Sequence, residues 1–239
     1  MAHINVRSLT PKCAEVYDII KSEDLDMLAI TETWQHSNYD DSLYAAAPDG
    51  YSFASEVRTW QRGYGGVAVY YRSTMQVERM NVNRTPLETL VLKIKYLRSE
   101  LILVCIYKAP AFKDTATLNK IDSMLKEVRS LDLPVVITGD INIHVDDPSD
   151  FQTSCLNHSL AVTRMVQHIT PPTHSGGHTL DIVISKNVDI TNISVEPPWL
   201  SDHGLVIWTG TIKEEISQVY ADESDRLSVL PSVTRQHCI

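Results

Sequence analysis

Short apolar runs rich in β-branched residues alternate with polar stretches along the first 212 residues of the chain. Runs of this length, bounded by Gly, Pro, Asn and Asp, are typical of buried β-strands. They predict strands at 4–6, 25–31, 67–71, 75–82, 89–96, 101–107, 133–138, 161–166, 179–185, 188–195 and 205–211.

Helices are fewer. Apolar residues three or four apart predict helices at 10–23 and 116–130, the first with Pro11 at its first helical position, and a shorter helix at 151–156. The segment 38–53 reads as a loop. Because strands outnumber helices and do not alternate with them one for one, the pattern favours an α+β fold over a doubly wound sheet. We expect a two-sheet β-sandwich flanked by helices.

The apolar pattern stops after Ile212, so residues 1–212 are predicted to form one domain. Residues 213–239 are polar and lack a sustained period, which predicts a poorly ordered tail.

Composition places the chain among ordinary globular proteins, with 43% hydrophobic and 21% charged residues in 239. No apolar run approaches the roughly 18 residues that span a bilayer, and no signal-peptide pattern is visible, so we expect an intracellular protein without a membrane partner. The four cysteines lie far apart, which predicts reduced thiols rather than disulfides or a zinc site.

A net charge of −9 argues against a general basic surface for nucleic acid. It predicts weak, salt-sensitive binding to any polyanion. It does not exclude an enzyme whose carboxylates cluster around a cation, because a bound divalent ion inverts the local field.

Asp140 and Asn142 follow the strand predicted at 133–138 and lie two residues apart. On an extended chain such residues point to the same side. An acid and an amide aimed together suit water activation and anion binding, although Asp and Asn at a strand end also serve ordinary turns.

Polar side chains lie at or near the ends of the other predicted strands too. They are Asn5, Glu32, Tyr107, Asp181, Asp202 and His203. If these ends converge, the oxygen-rich set suits Mg²⁺ or Mn²⁺ rather than zinc. Carboxylates this dense cannot all ionise without a nearby cation, and an Asp beside a His is an arrangement used in hydrolysis. A phosphate ester is the substrate that fits a hard cation and amide donors.

These motifs resemble the endonuclease/exonuclease/phosphatase superfamily. They are most similar to the endonuclease domain of non-LTR (LINE-type) retrotransposon proteins, which are relatives of apurinic/apyrimidinic endonucleases. The motifs that carry the resemblance stand in the family's order at Asn5–Leu9, Thr31–Trp34, Tyr107 with Pro110, Gly139–Asn142, Thr179–Val183 and Ser201–His203. The resemblance implies a four-layer, DNase I-like sandwich. It also implies a magnesium-dependent enzyme, with Mn²⁺ as an alternative ion, that nicks one strand of double-stranded DNA and leaves a 3′-hydroxyl.

The resemblance implies roles for individual residues. Glu32 would be the principal metal ligand, with Asp202 and Asn5 beside the metal. Asp140 would position or deprotonate the attacking water, and Asn142 would hold a phosphate oxygen.

The remaining roles surround the scissile phosphate. His203 would contact that phosphate, Asp181 would orient His203, and Tyr107 would touch the phosphate or the leaving oxygen. Thr173 and Ser201 would support DNA binding or the geometry of the site. Purely structural roles stay open as alternatives, such as a core position for Tyr107 or a structural ion pair for Asp181.

The chain departs from the related families in two places. Arg7 stands where apurinic/apyrimidinic endonucleases have an Asp, which removes one metal ligand, adds a phosphate contact and predicts one metal rather than two. The hairpin between Thr173 and Asp181 is short, which predicts weak sequence preference. Five histidines without an assigned partner are interpreted as solvated loop residues: His3, His144, His158, His174 and His178.

The function expected from the resemblance is a monomeric nuclease acting in the nucleus, as a lone domain or a fragment of a longer reverse-transcriptase protein. Two alternatives stay open. One is another phosphoesterase of the superfamily, acting on inositol phosphates, sphingomyelin or RNA ends. The other is a catalytically inactive binding module that keeps the fold.

Overall fold

The computed structural model describes residues 1–81 and 87–213. The tail predicted at 213–239 falls, from residue 214 onward, outside the described residues. Twelve strands form in the described part: β1 Ala2–Asn5, β2 Met27–Thr31, β3 Tyr51–Glu56, β4 Val67–Arg72, β5 Gln76–Met80, β6 Glu88–Tyr96, β7 Ser99–Tyr107, β8 Val135–Asp140, β9 Val166–Gln167, β10 Asp181–Lys186, β11 Val188–Val195 and β12 Val206–Ile212.

The strands form two six-stranded sheets. The first has the order β11-β12-β1-β2-β4-β3 and the second has the order β5-β6-β7-β8-β10-β9. Each sheet is mixed, because β1 runs parallel to β2 and β7 runs parallel to β8, while the other pairs are antiparallel.

Among residues 1–81 and 87–213, four α-helices cover the outer faces of the sheets: α1 Cys13–Ser22, α2 Asp41–Ala45, α3 Thr115–Ser130 and α4 Phe151–Thr163. A 3-10 turn at Thr10–Lys12, with its proline, leads into α1. Aspartates cap the other three helices, and Asp114 accepts a hydrogen bond from the backbone N–H of Thr117 at the start of α3.

Two predicted segments are wrong. The segment 38–53 was predicted as a loop but contains α2 and the start of β3, because Asp40 caps a helical turn whose Leu43 is fully buried. The strand predicted at 161–166 is mostly the end of α4, which continues to Thr163 and stops where Arg164 adopts a left-handed conformation with φ 56°. Only Val166–Gln167 pairs as a strand.

Three apolar cores separate four layers. One core lies between the two sheets and includes Val69, Leu103 and Trp208. A second lies between the first sheet and α1 with α2, and a third lies between the second sheet and α3 with α4. Central strands such as β2 and β8 are therefore buried on both faces, which explains their apolar sequences, whereas the edge strands β5 and β11 are largely exposed. The layers confirm the predicted sandwich of two sheets flanked by helices.

The polar strand ends meet at one end of the sandwich. In the second sheet, Asp140 is the register partner of both Tyr107 on β7 and Asp181 on β10. In the first sheet, Asn5 pairs with Thr31, next to Glu32. Within the described residues, no helix is both long enough and apolar enough to cross a membrane.

Candidate active site

Asn5 joins the two sheets at the centre of the site. Its Nδ2 donates to Glu32 Oε1 at 2.9 Å and to Asp140 Oδ2 at 2.9 Å. The two carboxylates come from different sheets, yet each has an oxygen in contact with the same amide nitrogen. Glu32 and Asp140 therefore lie close together, as the sequence predicts.

Glu32 is held by two further donors. The Tyr107 hydroxyl donates to Glu32 Oε1 at 2.9 Å, and Trp34 Nε1 donates to Oε2 at 3.1 Å. Burial, reinforced by the charge of Glu32, raises the pKa of Tyr107 well above its ordinary value, so this hydroxyl stays protonated. Tyr107 thus fixes the orientation of Glu32. Glu32 itself has a φ of 54°, a left-handed conformation that costs about 1–3 kcal/mol and clusters at functional sites.

Gly139 lets Asp140 reach the site. A Cβ at this position would overlap the backbone carbonyl of Ile106 on the neighbouring strand. The Asp140 side chain is fully buried and accepts from the Asn142 backbone N–H at 2.9 Å and from Asn142 Nδ2 at 3.1 Å. Asn142 Nδ2 also donates to the Lys108 carbonyl at 2.9 Å. In this structure the Asn142 amide therefore holds Asp140, and it reaches a phosphate oxygen only by exchanging one of these bonds.

Burial, with the charge of Asp181 nearby, raises the pKa of Asp140 to about 7. Protonated His203 and the donors from Asn142 and Asn5 oppose that rise. Because its pKa lies near neutral pH, the Asp140 carboxylate can both accept and release a proton there.

His203 and Asp181 form a buried pair beside Asp140. His203 Nδ1 lies 2.8 Å from Asp181 Oδ2, and His203 Nε2 lies 3.8 Å from Asp140 Oδ2. Burial works against a charged His203, but the charge and hydrogen bond of Asp181 outweigh it and raise the pKa of His203 to about 9. The pKa of Asp181 is lowered in turn by His203 and by His3, against the effect of burial. Asp181 therefore orients a cationic imidazole toward the site.

His3 corrects the interpretation of the unassigned histidines. It is fully buried, and its Nε2 lies 2.9 Å from Asp181 Oδ1, so Asp181 has an imidazole on each oxygen. His174 is also partnered, with Nε2 3.3 Å from Asp202 Oδ2, and His178 Nδ1 lies 3.1 Å from Asp146.

His144 and His158 are exposed, as expected, but His144 stacks on His178 with ring centroids 4.0 Å apart, and His158 lies on α4 rather than in a loop.

Arg7 and Asp202 form an ion pair at the rim of the site. Arg7 Nη1 lies 2.6 Å from Asp202 Oδ2, and half of the Arg7 side chain is exposed. The guanidinium therefore already supplies a cation to the carboxylate that was predicted to help hold metal. The free face of Arg7 remains open to an incoming anion.

Thr173 and Ser201 support the backbone of the site. The Thr173 side chain is buried, and its hydroxyl accepts from the backbone N–H groups of Leu180 and Asp181. The Ser201 hydroxyl donates to the Asn5 carbonyl at 2.5 Å and accepts from the His203 N–H. Of the two predicted roles, DNA contact or site geometry, their positions favour site geometry.

Lys108 is a buried charge that the sequence reasoning missed. Its Nζ donates to the carbonyls of Phe112 and Asn142, and burial lowers the pKa of Lys108 to about 8 despite the nearby charge of Asp140. The only sequence signal is a lysine directly after an apolar strand, which is common in surface loops as well.

The donor set fits a hard divalent cation. The ligand atoms of Asp140, Asp181 and His203 lie within 4.8 Å of one another, as do those of His174, Asp202 and His203. A protonated His203 has no lone pair for a metal ion, so the carboxylate oxygens are the atoms that His203 leaves for an ion in these groups. Glu32 belongs to neither group but shares Asn5 Nδ2 with Asp140. A carboxylate offers about four lone-pair positions, and three on Glu32 are used, which leaves one for a metal ion. Buried acids with a raised pKa gain most from such an ion.

Comparison with protein-family models gives one match that includes part of this site. A scan against protein-family models matches residues 2–104 to the Endonuclease/Exonuclease/phosphatase family. The matched range contains Asn5 and Glu32, and the later site residues follow it. A search of curated protein sequences gives no significant match.

Several solved structures share the fold. An apurinic/apyrimidinic endonuclease from Leishmania major is 15% identical with a TM-score of 0.70, over 90% of this chain and 87% of that one. The endonuclease domain of TRAS1, a telomere-specific non-LTR retrotransposon, is 15% identical with a TM-score of 0.68, over 89% and 96%. A mannosyl-6-phosphatase from Bacteroides thetaiotaomicron is 15% identical with a TM-score of 0.64, over 88% and 98%. These likenesses confirm the predicted DNase I-like fold.

Proposed function

We propose that this chain is a member of the Endonuclease/Exonuclease/phosphatase family that nicks one strand of DNA and leaves a 3′-hydroxyl, as LINE-type elements do at their target sites. The observation that carries the proposal is the Asn5 amide, which brings Glu32 and Asp140 together beside the His203–Asp181 pair. Phosphodiester hydrolysis can use an acid that holds a metal ion, an acid that accepts a proton from water and a cationic imidazole, and Glu32, Asp140 and His203 are placed for these roles.

Glu32 would hold a single Mg²⁺ or Mn²⁺ ion through its remaining lone pair, with Asn5 beside the ion and Asp140 next to it. When bound, the ion would act as a Lewis acid on the phosphodiester and offset charge on the leaving oxygen. Arg7 supports a single ion, because its guanidinium neutralises Asp202, the further acid predicted to hold metal.

Asp140 would activate the attacking water. Its pKa near 7 lets the ionised form take a proton from water at neutral pH. The donors from Asn5 and Asn142 hold the carboxylate in one orientation, which keeps the accepting oxygen directed at the site.

His203 would stabilise the charge that builds on the phosphate. With a pKa near 9 it is protonated at neutral pH, and Asp181 fixes its Nδ1 so that Nε2 faces the site. A preorganised cationic donor of this kind contributes more as charge develops in the transition state.

Double-stranded DNA is the proposed substrate. Two of the proteins with this fold are an apurinic/apyrimidinic endonuclease and a retrotransposon endonuclease domain, which supports a nucleic acid over a small phosphate ester. The hairpin after Thr173 is a tight turn closed by hydrogen bonds to the His178 carbonyl, so weak sequence preference remains our prediction. With chromosomal DNA as the target, the protein would act in the nucleus, and we propose that it acts there as a monomer.

Nicking of supercoiled plasmid tests the proposal. With Mg²⁺, the wild-type protein should convert supercoiled DNA to the open circle, and Asp140→Ala should lose at least about a hundredfold in rate. Glu127→Ala removes an exposed acid on α3 far from the site and should behave as the wild type. Absence of nicking by folded wild-type protein, or equal nicking by Asp140→Ala, would refute the proposal.

A phosphomonoesterase is the second candidate, favoured by the likeness to the mannosyl-6-phosphatase and by the net charge of −9. Release of inorganic phosphate from a panel of sugar, inositol and nucleotide phosphates, without plasmid nicking, would select it.

A further inference from the structure

Aromatic side chains form an exposed rim on the Glu32 side of the site. Trp60 is 50% exposed and Tyr64 is 51% exposed, and both lie on the segment 57–66 between β3 and β4. Tyr64 packs against Trp34 with ring centroids 5.4 Å apart, and Trp60 packs edge-on against Phe112 at 6.3 Å. Trp34, Trp60, Tyr64 and Phe112 are called the aromatic rim below.

The rim is tied to the proposed catalytic groups at two points. Trp34 Nε1 donates to Glu32 Oε2 at 3.1 Å. The Arg58 guanidinium lies over the ring of Trp60 at 5.4 Å and over the ring of Tyr107 at 5.7 Å. A strand bound at Glu32 would therefore pass directly beside these rings.

Arg58 is fixed rather than free to swing away. Arg58 is largely buried, and its Nε donates to Glu88 Oε1 at 2.7 Å, while the Gly66 N–H donates to the other Glu88 oxygen. Glu88 is the register partner of Tyr107. The Arg58–Glu88 ion pair at the start of β6 therefore holds the rim in position, so that its surface is already formed before a ligand binds.

The charge of the rim differs from that of the whole protein. Residues 57–66 contain neither Asp nor Glu, and Arg62 is an exposed cation, whereas the charge of Arg58 is paired with Glu88; the chain as a whole carries −9. Lys113 adds an exposed cation next to Phe112. Exposed rings interleaved with cations are the combination that binds unpaired nucleic-acid strands, where bases stack and phosphates meet positive charge.

We propose that the aromatic rim binds unpaired nucleobases of the strand that enters the site. This inference rests on the proposed function, since it takes the bound polymer to be DNA. Stacking does not depend on the identity of the base, because every base has a π-face. It also allows a protein with few surface cations to hold a polyanion. The rim therefore directs the enzyme to nicking sites flanked by unpaired or frayed bases.

Binding without catalysis tests the rim separately from the nuclease. Fluorescence anisotropy with a labelled single-stranded oligonucleotide is measured in EDTA, so that hydrolysis plays no part. Wild-type protein should bind the single strand more tightly than a duplex of the same sequence. Trp60→Ala should weaken single-strand binding roughly tenfold, and Trp60→Phe should restore most of it because a ring is retained.

Tyr96→Ala is the matched control, because Tyr96 is an exposed aromatic at the opposite end of β6 from Glu88. It should leave the affinity within about twofold of wild type. Equal affinity of wild type and Trp60→Ala, or tighter binding to the duplex, would overturn the rim proposal.

If the wild-type protein binds the single strand as expected but does not nick plasmid, the result contradicts the proposed nuclease activity and not the proposed binding of bases by the aromatic rim. With active protein, a plasmid carrying a short unpaired bubble should be nicked faster than its fully paired counterpart, and Trp60→Ala should reduce that advantage.

Discussion

Asn5 and Asp140 are 135 positions apart in the chain and lie in different sheets, yet a 2.9 Å hydrogen bond joins their side chains. The same amide nitrogen contacts Glu32. Two carboxylates that approach one amide repel each other when both are ionised, and a cation relieves that repulsion. The relationship makes a metal-dependent site the natural interpretation of the strand ends.

Asn5→Ala should weaken metal binding without unfolding the protein. The change removes the donor that holds both carboxylates, and loss of such an outer partner costs about 10- to 100-fold in metal affinity. Calorimetric titration with Mn²⁺ measures the effect. Asn119→Ala, an exposed amide on α3, is the matched control and should bind as the wild type. Unchanged affinity in Asn5→Ala would place the metal elsewhere.

Gly139→Ala should be strongly destabilising. The added Cβ would overlap the Ile106 carbonyl on the adjacent strand, and relief requires the two strands to separate, at a cost of roughly 3 kcal/mol or more. Gly177→Ala is the control, since its φ is +83° and nothing lies within 4 Å of the new Cβ. That variant should lose only about 1–2 kcal/mol from backbone strain. Urea denaturation compares the two, and similar losses would contradict the packing argument.

Arg7→Ala should reduce the salt dependence of DNA binding. The exposed face of Arg7 is placed to meet one phosphate, and removal of one such contact lowers the slope of log affinity against log salt by about 1. Binding at several salt concentrations gives the slope. Lys126→Ala, which removes an exposed cation on α3, should leave it unchanged. An unaltered slope in Arg7→Ala would mean that the ion pair with Asp202 is its whole role.

Rising pH should destabilise the metal-free protein between about pH 6.5 and 9. The folded-state pKa of His203, about 9, exceeds its ordinary value of 6.5. Folding therefore favours protonated His203, and the stabilisation is complete below pH 6.5 and lost as pH rises through 9. The contribution of His203 to this loss is at most about 3 kcal/mol. The lowered pKa of Lys108, about 8, acts in the opposite direction above pH 8, so the loss should be clearest between pH 6.5 and 8. The raised pKa of Asp140 acts in a lower window, between its ordinary value of 3.8 and about 7, and also lowers stability as pH rises.

Thermal melts in EDTA across this range measure the effect. Asp181→Asn removes the charge that raises the pKa of His203, so its melting temperature should vary less between pH 6.5 and 9 than that of wild type. A wild-type stability that rises over the same interval would contradict the assignment of the His203–Asp181 pair.

Much of the site could be predicted because its polar residues lie at the ends of apolar strands. Glu32 directly follows β2, and Asp140 is the last residue of β8, so the end of each mainly apolar strand locates the residue. The sandwich could be predicted for the same reason, since central strands such as β2 and β8 are buried on both faces and are largely apolar.

Residues whose partners are remote in sequence could not be found in this way. His3 lies inside a short strand and acquires its role only from Asp181, 178 positions later. The Arg58–Glu88 pair spans 30 residues and has no local pattern. The sequence pattern predicts too short a helix α4, because an alternating stretch at its end resembles a strand, whereas burial of Leu156 and Leu160 against the second sheet keeps it helical.

The most direct test of the account is the chemistry of the cut itself. Supercoiled plasmid treated with the protein and Mg²⁺ would be offered to a DNA polymerase with labelled nucleotides, without any prior removal of end groups. We expect one nick per product circle and immediate extension from each nick, because cleavage leaves a 3′-hydroxyl. Nicks that the polymerase extends only after treatment with a 3′-phosphatase, or circles that stay intact, would contradict it.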